Sequence, residues 1–165
     1  MKRFIIIVFA LVLLCLTACS AQKDNKNFSG PEKITIKEQT QAMTKIEMTE
    51  LILEIEGREI SVEWEDNESV KALKQLVTEN PAQINMSMYS DFEQVGTIGS
   101  SLPRNDVQMT TQAGDIVLYQ GNQIVIFYGS NSWSYTKLGR IKNLSQEELT
   151  KLLGNGDVGI ILSII

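Results

Sequence analysis

The 165-residue chain carries 15 Lys and Arg against 20 Asp and Glu, with no histidine and only two cysteines. A net charge of −5 repels phosphate backbones, so nucleic acid is not an expected partner. Without histidine, and with both cysteines inside the first nineteen residues, the usual serine and cysteine triads and most zinc sites are excluded.

The chain opens with Lys2 and Arg3, runs apolar from Phe4 to Leu16, and reaches Leu16-Thr17-Ala18-Cys19. A basic start, an apolar run too short to cross about 30 Å of hydrocarbon comfortably, and small residues after it are the parts of an export signal. Leu-Thr-Ala-Cys resembles the bacterial lipobox. That resemblance implies a signal peptide over residues 1–18, cleavage before Cys19 and lipid on the Cys19 thiol. The other reading is an ordinary signal peptide with an incidental cysteine. A buried methylene contributes about 0.8 kcal/mol, so two or three acyl chains hold a protein stably where one does not. The expected location is therefore the bacterial cell membrane, facing outside the cytoplasm, with the Cys19 lipid as the one membrane contact. Cleavage also removes Cys15, which leaves no disulfide, and loss of Lys2 and Arg3 leaves 13 basic side chains against 20 acidic ones, a charge of −7.

Residues 19–49 are rich in Lys, Asn, Gln, Thr and Glu, with Gly30-Pro31 and few large apolar side chains. This composition predicts the lipidated N-terminus followed by a flexible tether, of roughly 30 Å root-mean-square span for about 30 residues.

One folded domain is predicted over residues 50–165, long enough for a core without staples. Leu51, Leu53 and Ile55 alternate with Ile52, Glu54 and Glu56, and after a turn at Gly57-Arg58 so do Ile60, Val62 and Trp64, which predicts a hairpin. Asp66-Asn67 then caps a helix in which Val70, Leu73, Leu76 and Val77 share a face. Ile84, Met86 and Met88 alternate as a strand, while Tyr89 to Ala113 shows no period and is predicted as a long loop forming one wall of a ligand site. Ile116 to Tyr119 and Ile124 to Tyr128 flank Gln120-Gly121-Asn122-Gln123 as a buried hairpin, followed by a strand from about Trp133 to Lys142. Ser145-Gln-Glu-Glu148 is a capping box for a second helix through Leu153, with Gly154 as its stop, and Val158 to Ile165 reads as a last strand buried on both faces.

Two stretches carry a family resemblance: Gly114-Asp115-Ile116-Val117-Leu118-Tyr119 with Val125-Ile126-Phe127-Tyr128-Gly129, and Ser132-Trp133-Ser134-Tyr135-Thr136-Lys137-Leu138-Gly139-Arg140-Ile141. With the element order, they resemble the bacterial cyclophilin-like domain family. The resemblance implies a mainly β fold, a closed barrel of about eight strands with two short capping helices. For activity it points the other way. The prolyl isomerases of the wider group use an arginine on the third strand, a Phe-Met-x-Gln motif after it and a histidine near the groove, and Ile84 to Met88 and the residues beyond carry none of these. Arg104, beside Pro103, is the catalytic candidate only if the chain is an isomerase.

The candidate groove residues are Trp133, Tyr135, Tyr128, Met88 and Arg104, because rings with polar tips and adaptable thioethers suit half-wet binding surfaces. Tyr119 is a further ring that could line this groove, and packing in or around the barrel is the alternative for Trp133, Tyr135, Tyr128, Tyr119, Met86 and Met88. Asp91, Glu93 and Asp106 have no calcium-loop spacing and read as solvated loop charges, and Asp115 as a turn residue. No metal or cofactor is expected. The function expected is a non-enzymatic binding module for a peptide, protein or small ligand, acting as a monomer, with a weak prolyl isomerase as the alternative.

Overall fold

The computed structural model describes residues 50–165. The expected signal segment over 1–18, the lipidated Cys19 and the tether to residue 49 lie outside the described residues. Among the described residues no helix is long and apolar enough to cross a membrane.

In chain order the elements are β1 (Leu51–Ile55), β2 (Arg58–Ile60), β3 (Val62–Trp64), α1 (Glu68–Leu76), β4 (Ala82–Tyr89), β5 (Glu93–Thr97), β6 (Val107–Thr110), β7 (Asp115–Tyr119), β8 (Gln123–Phe127), β9 (Ser132–Ile141), α2 (Gln146–Leu153) and β10 (Val158–Ile164). The sheet runs β2-β1-β10-β4-β5-β8-β7-β9-β3, with β6 paired to β9 off this path. Its two ends, β2 and β3, are halves of one bent strand broken only at Ser61. β2 pairs with β1 and β3 with β9, so the sheet closes on itself. Counted this way, eight strands form the wall, as expected for a cyclophilin-like barrel, and the two helices complete the architecture. Closure removes the unpaired edges that would otherwise template association. Trp64 Nε1 donates to the Leu51 carbonyl at 2.7 Å, fastening the seam.

Alternation along the strands sends side chains to opposite faces of the wall. Leu51, Leu53, Ile55, Ile84, Met86, Ile116, Leu118, Ile124, Ile126, Leu138, Ile160 and Leu162 fill the interior together with Val70 and Leu73 of α1 and Leu149 and Leu153 of α2. A smaller cluster of Val117, Val125, Phe127 and Tyr135 lies on the opposite face of β7, β8 and β9, the outside of the barrel. The helices begin where the sequence says. Asn67 Oδ1 accepts from Val70 N at 3.0 Å, and the Ser145–Glu148 capping box is complete.

Several expectations need correction. The hairpin turn after β1 is Glu56-Gly57, both with positive φ, rather than Gly57-Arg58; that is the geometry a two-residue hairpin requires. Leu76 points outward at 37% exposure and α1 ends there. Gly154 does cap the second helix as expected; a Cβ there would sit 2.7 Å from the Thr150 carbonyl and 3.3 Å from Tyr128, so close packing requires the glycine. β10 alternates between buried and half-buried residues instead of burying both faces. The largest correction concerns Tyr89 to Ala113, which contains β5, a central strand of the wall, and β6. β5 reads Glu-Gln-Val-Gly-Thr and has no apolar period. Its inward Gln94 is fully buried because Nε2 donates to the carbonyls of Leu153 (2.6 Å) and Gly156 (2.7 Å), tying the end of α2 to the barrel.

Candidate functional site

The site begins with a bulge. Regular alternation cannot send both Leu138 and Ile141, three residues apart, to the interior, yet both are buried there. The register shows how: Asp115 and Ile116 pair with Arg140 and Gly139, while Val117 and Leu118 pair with Lys137 and Thr136, leaving Leu138 as the extra residue. A bulge bends its strand and exchanges its faces. Beyond it Tyr135 joins the outer cluster, and the first half of β9 leaves the barrel wall to pair with β6, Val107 opposite Tyr135 and Met109 opposite Trp133.

This arm and the outer faces of β4, β5, β7 and β8 enclose a cleft of about 400 Å³, lined by Tyr89, Glu93, Val95, Tyr119, Gln123, Val125, Asn131, Trp133 and Tyr135. The volume lies in the range of small-molecule and side-chain pockets. Its floor is ordered. Tyr119 and Tyr135 meet edge-on at 5.9 Å, Phe127 and Tyr135 at 5.7 Å, and Asn131 Nδ2 donates to the Tyr135 hydroxyl at 3.0 Å. Its rim is open: Trp133 is 57% and Tyr89 61% exposed.

Glu93 is the one charged residue in the lining. It stands opposite Tyr89 on β4 and Phe127 on β8, only 6% exposed, and its Oε2 is buried with no hydrogen-bond partner among the described residues. Burial raises its pKa from 4.5 to about 7, since removal from water disfavours the charged form. The same burial, with the Glu93 charge added, pushes the Tyr135 phenol up, against the opposing hydrogen bond from Asn131. The turn linking Tyr89 to Glu93 holds Ser90 (φ 50°) and Asp91 (φ 57°) in the left-handed region, a strained geometry common beside functional residues. Phe92 at its end is fixed by its carbonyl, which accepts from Tyr128 N and Gly129 N, both at 2.9 Å.

Of the candidate groove residues, the structure brings Trp133, Tyr135 and Tyr119 together in this cleft. Tyr128, Met88 and Arg104 lie elsewhere. Tyr128 falls on the interior face of the wall, where burial raises its pKa and its hydroxyl has no partner. Met88 sits at the end of β4, its backbone N–H donating to Asp157 at 3.0 Å. Arg104 lines a separate hollow with Glu65, Asn67, Ser69 and Pro103, and pairs with Asp106 at 3.4 Å. Asp106 also accepts from the Thr136 hydroxyl, and Asp115 from Gln112 N, so both carboxylates hold loops in place. Glu93, expected as a solvated loop charge, is the cleft residue that the sequence hid. Its strand lacks the apolar alternation that would have marked it as buried, and Gln123 joins the lining only through its pairing with Tyr119. Among the described residues no group of three or more His, Cys, Asp or Glu is placed to hold a metal.

The chain is similar to the solution structure of the hypothetical protein AF2241 from Archaeoglobus fulgidus, at 20% identity and a TM-score of 0.49, covering 70% of this chain and 93% of that one. No curated protein matches the sequence. The profile of the cyclophilin-like family matches residues 53–163, which spans β1 through β10 and every residue of the cleft, and the chain belongs to the cyclophilin-like family.

Proposed function

We propose that the chain is a lipid-anchored, extracytoplasmic binding module, not an enzyme, whose outer cleft holds a peptide, protein or small ligand. The observation that carries this reading is the pairing of exposed rings, Trp133 and Tyr89, with a buried polar atom, Glu93 Oε2, that has no partner among the described residues. Buried polar groups are ordinarily satisfied, and exposed aromatics around a concave floor are the usual anchors of recognition. Anchoring rests on the basic start, the apolar run and Leu16-Thr17-Ala18-Cys19.

Binding is tested by titrating the full chain with a panel of short peptides and small amphiphiles while following tryptophan fluorescence, with Trp133→Phe as the blank. A saturable change present in the native chain and absent from the variant is expected. No saturation across the panel would refute the reading. A measurable rate on a proline peptide, abolished by Arg104→Ala, would replace it with the isomerase. Anchoring is tested separately: Cys19→Ala should abolish acylation and release the protein from the membrane fraction, and retention of that variant as a mature membrane protein would remove the lipid anchor.

A further inference from the structure

The binding reading leaves the ligand's chemistry open, and the inference here rests on that reading. We infer that the cleft takes an organic cation carrying N–H donors, an alkylammonium or a guanidinium, with the charged end on the Glu93 carboxyl and the carbon stem against the rings of Trp133 and Tyr89.

Three features of the lining converge on this class. Glu93 brings the only formal charge, with neither lysine nor arginine in the lining to neutralise it. An anionic ligand would therefore meet repulsion, and a neutral one would leave the ionised carboxylate without a counter-charge at its buried oxygen. Next, the walls are Tyr89, Tyr119, Trp133 and Tyr135, whose ring faces attract cations and whose edges tolerate an apolar stem. Finally, Glu93 Oε2 is buried and without a partner, so it calls for a hydrogen-bond donor that approaches through the cleft. A quaternary ammonium has no N–H and leaves that oxygen unsatisfied. A metal ion would find a single carboxylate and no second acidic ligand in the lining. The whole-chain charge of −5 favours arrival of cations over anions.

The alkylammonium could come from a free small amine or from a lysine side chain of a peptide, so the experiment has two arms. Calorimetric titration of the full chain in detergent compares pentylamine with pentan-1-ol and with tetraethylammonium. A second arm compares Nα-acetyl-lysine N-methylamide with its Nε-acetylated counterpart. The protonated, N–H-bearing member should bind at least tenfold more tightly than its neutral or quaternary partner in one arm or both, and the responding arm identifies the source. Glu93→Gln should remove that preference, and Trp133→Ala should weaken binding without altering the melting curve. Equal affinity for charged and neutral partners, or an undiminished preference in Glu93→Gln, overturns the cation assignment. Saturable binding of neutral probes alone overturns it while leaving the binding reading intact. Absence of binding by every probe here and in the fluorescence panel overturns both.

Discussion

Replacing Glu93 with glutamine isolates the energetic cost of a buried carboxyl. In the folded chain its pKa stands at about 7 against an ordinary 4.5. Between those values the folded protein keeps a proton that the unfolded chain has released. The stability contributed by this acid is therefore complete below about pH 4.5 and lost as the pH rises through 7. At about 1.4 kcal/mol per tenfold change in proton affinity, the separation is worth about 3 kcal/mol, and water on the open side of the cleft reduces it to roughly 2. Glutamine does not titrate. Urea unfolding of native and Glu93→Gln chains at pH 4 and pH 8 should show the native protein losing roughly 2 kcal/mol more than the variant over that range. The constant cost of placing an amide in the cleft cancels in this double difference, and so do carboxylates common to both chains. Parallel loss within about 0.5 kcal/mol would mean that Glu93 is solvated and that the electrostatic account of the cleft is wrong.

Three further outcomes test the framework around the site. Trp133→Ala should change stability by no more than about 0.5 kcal/mol in denaturant melts, because the ring is 57% exposed, while weakening any ligand that uses the cleft. Gly139→Ala should cost about 1 to 3 kcal/mol, since a Cβ there meets the Glu63 carbonyl at 2.8 Å and the Trp64 ring at 3.1 Å across the β3–β9 seam; an unchanged thermal midpoint would argue against a tight closure. Ser145→Ala should cost about 1 kcal/mol by removing the cap of α2, measured by the same melts, with Ser145→Asp restoring most of it.

The barrel was legible wherever one face of a strand is apolar and the other is not. β1 and β4 announce themselves by period, β7 and β8 as apolar runs flanking a turn, and both helices by their caps. β5 escaped because the forces that bury it are polar and distant in sequence. The Gln94 amide nitrogen is held by the carbonyls of Leu153 and Gly156, and Gly96 is required by Ile84, to which a Cβ would come within 2.5 Å. The cleft was half legible for a related reason. Aromatic density around Tyr119 to Tyr135 is visible in the sequence, but the face each ring takes depends on strand parity and on the bulge at Leu138. That parity turns Tyr128 inward and Tyr135 outward. Arg104 and Trp133 do not share the cleft: β6 sets Met109 opposite Trp133, and Arg104, before β6, lines the hollow with Glu65 and Ser69.

The place of β10 in the sheet has a consequence for how the molecule is made. This strand is the last element in the chain, yet it lies between β1 and β4, making antiparallel ladders with both. Until β10 is delivered, β1 and β4 have no common partner and the ring stays open on both sides of the gap. Contacts of such large sequence separation fold slowly, because the intervening chain must be closed first. A nascent or threaded chain therefore remains an open sheet until β10 arrives, and only then does the ring of strands close.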